Sequence, residues 1–145
     1  MHDLSPTPIM SYVHQHLLRV RYGETDQMGF VYYGVYAQYY EVARVEALRE
    51  LGLLYADLER VHHIWMPVTH MEVRYLRPAK YDDLLTIQTT IPALPGKEIK
   101  FRYEIRNEAG QLLNGALVKL CFLDSKTQER VSVPDFITAA LKSYF

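Results

Sequence analysis

One acidic side chain, Asp26, lies in a polar segment that begins and ends with glycine, Gly23 and Gly29. Polar segments bounded by glycine are typical of loops, and a helical pattern begins a few residues later, near Tyr33. The first turn of a helix has unpaired backbone N–H groups and a partial positive charge. Such donors stabilise the oxyanion of acyl transfer, and an acid beside them can act as a base toward water or attack the carbonyl carbon.

A structural role for Asp26 is the alternative. Aspartate side chains often cap helices or accept hydrogen bonds from nearby loop amides. The local pattern alone favours this second interpretation, because an acid in a glycine-bounded loop is a weak signal of catalysis.

The pattern that follows the loop predicts a long helix from about Tyr33 to Leu51, and Gly52 is typical of a helix stop. Its apolar and aromatic positions recur at steps of three and four residues, which indicates one buried face. These positions are Tyr36, Tyr39, Tyr40, Ala43, Ala47 and Leu51. A cluster of five tyrosines, at positions 32, 33, 36, 39 and 40, suits a pocket wall or a subunit interface better than a dry core.

The remaining elements are mostly strands. A strand is predicted over residues 12–22 and a short helical turn over residues 56–60. Alternating residues predict strands over 70–75, 85–91 and 99–106, and a hairpin turn at 107–110 leads into an apolar run at 112–123. We expect these four strands to form an antiparallel meander with the helix on one face. A short C-terminal helix begins at Pro134.

Length and composition predict one globular domain over residues 1–145, with a tail at residues 1–11. The net charge of −1 does not favour general binding to nucleic acid or to a membrane surface. The lone cysteine, Cys121, cannot form an internal disulfide, which favours a reducing compartment. No signal-peptide pattern opens the chain, and no apolar run reaches the ~18 residues of a membrane span. We therefore expect a cytoplasmic protein.

Several segments resemble a known family. The segment RYGETDQMGFVYYGVY at residues 21–36 resembles the opening motif of the 4-hydroxybenzoyl-CoA thioesterase branch of the hotdog superfamily. The likeness continues through EVAR at 41–44, LRELG at 48–52 and VRYLRPAKYDD at 73–83. The chain is similar to the acyl-CoA thioesterases encoded with Tol-Pal genes, over roughly residues 14–135.

The resemblance implies a fold and an activity. The fold is the α+β hotdog, in which a five-stranded antiparallel sheet wraps a long central helix. The activity is hydrolysis of an acyl-CoA thioester to the free acid and coenzyme A, with no separate cofactor because coenzyme A is part of the substrate. Relatives form dimers joined at sheet edges, often paired into homotetramers, with the pocket between subunits. The acyl group and the choice between dimer and tetramer stay open.

The resemblance also implies residue roles. Asp26 becomes the catalytic carboxylate, either as base or as nucleophile, and the backbone N–H of Tyr33 polarises the thioester carbonyl. Neighbouring motif positions Tyr32, Gly34 and Tyr36 become candidates for substrate contact.

Two positions depart from the family pattern. Many relatives carry His at the position of Tyr33, although others carry Tyr. Many carry Asn or Ser at the position of Val35, where valine offers no side-chain hydrogen bond. We therefore expect loop rigidity or acyl preference to differ from those relatives.

Other charged residues are candidates for the same site. Glu41 on the helix is the second candidate base, because a helical acid is catalytic in other hotdog branches. Glu24 is expected to be a solvated surface acid. Arg77 and Lys80 flank Pro78 in the family-like segment and are our candidates for contact with the phosphates of coenzyme A.

Six histidines raise the question of a metal site, but their spacing matches no zinc pattern, so we expect none. Two other functions stay open beside the thioesterase. One is a hotdog dehydratase, which usually places a His in its site. The other is a non-catalytic module that binds acyl-CoA or an acyl carrier protein.

Overall fold

The computed structural model describes residues 10–145, so most of the tail predicted for residues 1–11 lies outside the described residues. The longest helix is α1, at Tyr36–Glu50. Two shorter helices are α2 at Tyr55–Arg60 and α3 at Asp135–Leu141. The strands are β1 (Tyr12–Arg19), β2 (Ile64–Trp65), β3 (Val68–Tyr75), β4 (Leu84–Ile91), β5 (Glu98–Arg106), β6 (Leu112–Asp124) and β7 (Arg130–Val131).

The five long strands form an antiparallel sheet in the order β1-β4-β5-β6-β3. The meander predicted from four consecutive strands is confirmed for β4, β5 and β6 but is wrong for β3. Strand β3 pairs with β6, and β1 takes the place beside β4.

The connection between β3 and β4 explains this difference. It does not fold back as a tight hairpin but crosses to the loop that contains Asp26. The Val31 N–H donates to the Ala79 carbonyl at 2.8 Å, and Phe30 forms a β-bridge with Lys80. The segment at residues 76–83 is therefore hydrogen-bonded to the Asp26 loop, and β3 pairs with β6 instead of with β4.

The end of the first strand and two short strands differ from the predictions. The first strand ends at Arg19 rather than at residue 22, because Tyr22–Glu24 form a 3-10 turn. The short strands β2 and β7 were not predicted, and both pair with the last residues of β6. Two-residue strands carry too little periodicity to be found in a sequence.

The buried face of α1 is the one that its periodicity predicts. Tyr39, Tyr40, Ala43 and Ala47 are all buried and belong to one core cluster with the inward side chains of the sheet. The helix stop at Gly52 is confirmed, since this glycine has a φ of 81° and its N–H donates to the Arg49 carbonyl. The lone Cys121 is buried at the end of the sheet.

The tyrosine cluster divides between the core and the surface. Tyr36, Tyr39 and Tyr40 are buried, whereas Tyr32 is 50% exposed and Tyr33 is 67% exposed. The expectation that the cluster avoids a dry core is therefore wrong for Tyr39 and Tyr40, which belong to the core cluster. Buried tyrosine is tolerated there because its hydroxyl finds a partner, as in the 2.6 Å hydrogen bond from the Tyr40 hydroxyl to Asn114 Oδ1.

Across residues 10–145, no helix has the length and hydropathy needed to cross a membrane.

Candidate active site

The loop that holds Asp26 is a tight, internally bonded turn. Thr25 and Val31 form a β-bridge across its base. Inside it, the Asp26 N–H donates to the Phe30 carbonyl at 2.8 Å, and the Gly29 N–H donates to the Asp26 carbonyl at 3.0 Å. Gly29 has a φ of 79°, a conformation that glycine adopts without steric cost. The glycine that suggested a loop is thus the residue that lets the chain turn back.

The Asp26 carboxylate has two different oxygens. Its Oδ1 accepts hydrogen bonds from the backbone N–H groups of Met28, at 2.9 Å, and Phe30, at 3.3 Å. Within the described chain, its Oδ2 accepts none. The structural role considered for Asp26 is therefore present, but it uses only one oxygen and leaves the other free for chemistry.

The helix start supplies free donors. A 3-10 turn at Tyr33–Val35 runs directly into α1, and the Val35 N–H donates to the Tyr32 carbonyl. The N–H groups of Tyr33 and Gly34 have no acceptor among residues 10–145. These two donors point away from the helix, at the end where its dipole is positive.

Asp26 and Tyr33 line the same cavity, whose volume is about 420 Å³. Of the residues proposed from the sequence, Tyr32, Tyr36 and Arg77 line it as well. The other lining residues are Met28, Phe30, Val31, Tyr75, Leu76 and Pro78. A carboxylate oxygen and a helix N-terminus thus meet on one largely apolar cavity.

Aromatic rings build much of the cavity wall. The rings of Tyr36 and Tyr75 have centroids 5.7 Å apart, and those of Tyr32 and Tyr33 are 4.8 Å apart. Burial raises the pKa of the Tyr36 phenol above its ordinary value. Its hydroxyl accepts a hydrogen bond from the Ala79 N–H at 3.3 Å. Tyr36 therefore stays neutral and joins the wall to the segment after β3.

Gly34 does not line the cavity, but it shapes the wall. A Cβ placed on Gly34 would lie 2.9 Å from Cε2 of Tyr32, closer than real Cβ contacts. The absence of a side chain at Gly34 therefore lets the Tyr32 ring lie over the start of the helix.

Like Gly34, two further candidates lie outside this cavity. Glu41 is exposed on α1 and is not among the lining residues. Lys80 is exposed too, and its backbone N–H donates to Asp83 Oδ2 at 2.9 Å. The structure of the single chain therefore brings neither side chain to Asp26.

The structure contradicts the expectation for Glu24. The sequence predicts a solvated surface acid, but the Glu24 side chain is only 11% exposed. It forms an ion pair with Arg21, with 2.6 Å between Nη2 and Oε2, and accepts a hydrogen bond from the Tyr39 hydroxyl at 2.8 Å. Burial would raise the pKa of its carboxyl, but the hydrogen bonds from Arg21 and Tyr39 outweigh burial and lower the pKa.

Several lining residues were missed by the sequence reasoning. Met28 and Phe30 lie in the motif, and Tyr75, Leu76 and Pro78 lie in the second family-like segment, yet none was proposed for the site. Both segments carry the family-like pattern, although they lie far apart in the sequence. This shared pattern was the available signal that the two segments build one site.

A second cavity, of about 790 Å³, also borders the loop. Its lining includes Asp26, with Tyr22 and Tyr81, whose rings meet edge to face at 5.5 Å. Asp26 therefore belongs to the lining of two cavities. Within residues 10–145, no group of three or more His, Cys, Asp or Glu side chains could hold a metal ion.

Comparison with known proteins relates the chain to enzymes of one kind. It is 37% identical over 127 residues to the acyl-CoA thioester hydrolase YbgC of Escherichia coli O6:H1, and the aligned residues cover 86% of this chain and 92% of that one. It is 31% identical over 123 residues to the acyl-CoA thioesterase YbgC of Haemophilus influenzae, with 85% of this chain and 90% of that one covered.

Solved structures give the same relationship. A DHNA-CoA thioesterase from Staphylococcus aureus superposes with a TM-score of 0.83 at 30% identity, covering 91% of this chain and 88% of that one. The family model of the thioesterase-like superfamily matches residues 20–141, a range that contains the Asp26 loop, α1 and strands β2 to β7. The chain therefore belongs to the thioesterase-like superfamily and has its hotdog fold.

Proposed function

We propose that this protein hydrolyses acyl-CoA thioesters to the free acid and coenzyme A. The observation that carries the proposal is that Asp26 and Tyr33, whose backbone N–H has no acceptor in the described chain, line one cavity. The names of the relatives, acyl-CoA thioester hydrolase and acyl-CoA thioesterase, support the same substrate class.

The chemistry follows from these groups. The thioester carbonyl oxygen accepts the Tyr33 N–H, which stabilises the negative charge that develops when the carbonyl carbon is attacked. Oδ2 of Asp26 either takes a proton from the attacking water or attacks the carbon itself. In the first route the tetrahedral intermediate collapses to the acid, and the thiolate of coenzyme A leaves. In the second route the thiolate leaves a mixed anhydride between the acyl group and Asp26, and water hydrolyses this anhydride to the acid and the free carboxylate. Because a thiol has a pKa of ~8.5, its thiolate leaves without a dedicated general acid.

The amide hydrogen bonds to Oδ1 support this assignment. Donors from Met28 and Phe30 fix the carboxylate in one orientation. A reacting group held in this way needs little reorganisation before attack. The structural and catalytic roles of Asp26 are therefore compatible, since each uses a different oxygen.

A thiol-release assay with a panel of acyl-CoAs tests the proposal. We expect turnover by the wild-type protein and a loss of kcat of ~100-fold or more in Asp26→Asn, the usual scale for a lost general base. The amide oxygen of the introduced asparagine can still accept the two loop hydrogen bonds, so the loop should stay folded. Asp82→Asn is the matched control, because Asp82 is exposed and asparagine tolerates its φ of 68°. Wild-type kcat in Asp26→Asn would contradict the proposal.

We also propose that the active form is a homo-oligomer. In the described chain β3 pairs on one side only, with β6, and carries exposed apolar side chains at Val68, Met71 and Tyr75. An unpaired edge with apolar side chains is suited to pairing with a second copy. Tyr75 also lines the cavity, so a second copy at this edge would help to enclose the substrate.

A further inference from the structure

We propose that Glu24 is a positioning residue, which holds the Asp26 carboxylate in a fixed position relative to the start of α1. This inference rests on the proposed thioesterase function. Glu24 lines neither of the two cavities that Asp26 borders. Its effect on the reaction therefore passes through the loop it anchors.

The Glu24 carboxylate is saturated with donors. Oε1 accepts the Arg21 N–H at 2.9 Å and the Tyr39 hydroxyl at 2.8 Å. Oε2 accepts Nε and Nη2 of Arg21 at 3.0 and 2.6 Å. Both oxygens are thus fixed, so this side chain has one orientation.

These donors come from two elements that must be aligned. Arg21 follows β1, whereas Tyr39 lies on the first turn of α1 and is buried. The Glu24 side chain therefore connects the strand side of the loop to the helix that begins just after the cavity residue Tyr33. The connection is made two residues before Asp26.

The backbone of Glu24 makes the second link. Its carbonyl accepts the Tyr32 N–H at 3.0 Å, immediately before the donor residue Tyr33. The next residue, Thr25, forms the β-bridge with Val31 that closes the Asp26 loop. Glu24 is thus bonded on both sides of the site, to the chain that leads into Asp26 and to the chain that leads into Tyr33.

A purely structural ion pair is the competing explanation. The Arg21 side chain is 76% exposed, and ion pairs with an exposed partner often contribute little net stability, because solvent screens the attraction between the charges. A structural pair would change the melting temperature, whereas a positioning pair also changes kcat in protein that remains folded. The two explanations therefore differ in what a well-folded variant does.

Glu24→Gln is the main variant. It keeps the size of the side chain but places an amide N–H₂ against the Arg21 guanidinium, which has only donors. We expect kcat to fall by roughly 10- to 100-fold, since a misplacement of about 1 Å at a reacting group can cost ~100-fold in rate. We expect KM to change little, because the cavity wall is intact.

Glu46→Gln is the matched control. Glu46 forms an ion pair with Arg49 of the same i,i+3 spacing as Arg21 and Glu24, on a part of α1 away from the cavity. The control should keep wild-type kcat. Both variants are measured well below their melting temperatures, so that loss of folded protein does not contribute.

A double mutant separates positioning from an independent effect. If Glu24 acts through Asp26, Glu24→Gln should lower the residual activity of Asp26→Asn far less than it lowers that of the wild type. An equal fold-loss in both backgrounds would overturn the inference, as would wild-type kcat in folded Glu24→Gln.

Tyr39→Phe is the second variant, used if Glu24→Gln does not fold, because it removes only the hydroxyl that α1 donates to Glu24. Folded Tyr39→Phe with wild-type kcat would then overturn the inference. A wild-type protein that releases no thiol from any acyl-CoA would instead overturn the proposed function itself.

Discussion

The two oxygens of Asp26 show how one side chain can serve both the loop and the reaction. Oδ1 accepts the loop amides of Met28 and Phe30, and Oδ2 is left without a partner in the described chain. The sequence offered these two roles as alternatives, because a spacing pattern cannot show which oxygen is used. The prediction that Glu24 is a solvated surface acid is wrong for a related reason. Its partner Tyr39 lies on another element, and only the fold brings the two side chains together.

Glu24 should make stability depend on pH. Although burial opposes it, hydrogen bonding to Arg21 and Tyr39 lowers the pKa of the Glu24 carboxyl below its ordinary value of 4.5. A lowered folded-state pKa stabilises the fold fully above pH 4.5, and this contribution is lost as the pH falls through the lowered value. We expect Glu24→Gln to show a shallower fall in unfolding free energy below that pH. Urea unfolding between about pH 6 and about pH 3 measures it, and identical slopes would argue against the assignment.

Gly34 should control the cavity wall. In Gly34→Ala the new Cβ would meet the Tyr32 ring, and because Tyr32 is half exposed, the ring can move aside. Gly→Ala at a compatible backbone position changes stability by only about 0.4–1 kcal/mol. We expect an altered ranking of kcat/KM across acyl-CoAs and a nearly unchanged melting temperature. An unaltered ranking would show that Tyr32 does not contact the acyl group.

At the scale of elements, the site depends on the crossing segment at residues 76–83. Periodicity predicted α1 and the long strands, because each of these buries one face along its own length. It could not predict that β3 pairs with β6, since strand pairing is decided by contacts between distant parts of the chain. The crossing segment binds the Asp26 loop through backbone atoms of Ala79 and Lys80, which leave no pattern in the side chains.

Ala79→Leu tests the role of this segment. Ala79 is completely buried, and its carbonyl accepts the Val31 N–H. Overpacking a buried position typically costs about 1–3 kcal/mol, and here it should also separate the two segments that line the cavity. We expect a lower melting temperature together with reduced kcat. Ala109→Leu in the exposed β5–β6 turn is the control, and a lowered melting temperature with unchanged kcat in Ala79→Leu would contradict the coupling.

At the scale of the whole molecule, the cavity reaches the strand β3, whose other edge is free in the described chain. Tyr75 belongs to both, and Tyr32 and Tyr33 are exposed nearby in the lining. Membership of the superfamily could be inferred from the sequence because its motif is local. The assembly could not be derived from the residues alone, since edge pairing depends on which strand the fold leaves unpaired.

Met71→Lys tests the assembly. A charge on an edge strand opposes pairing with a second copy, and Met71 is exposed on β3. We expect light scattering to show an oligomer for the wild type and a shift toward monomer, with reduced kcat, for Met71→Lys. Leu17→Lys places the same charge on the opposite edge strand, β1, and should remain at least dimeric. A wild-type monomer with full activity would rule out the proposed oligomer.

Catalysis in the proposed mechanism depends on the negative charge of Asp26 acting on a thioester bound beside the start of α1. The most direct measurement is a single-turnover experiment in which folded Asp26→Asn, in excess, is mixed with an acyl-CoA that the wild type hydrolyses. Equilibrium binding is measured in parallel. We predict that the variant binds the acyl-CoA with an affinity close to that of the wild type and releases thiol ~100-fold more slowly or not at all. Release at the wild-type rate from the bound complex would contradict the account.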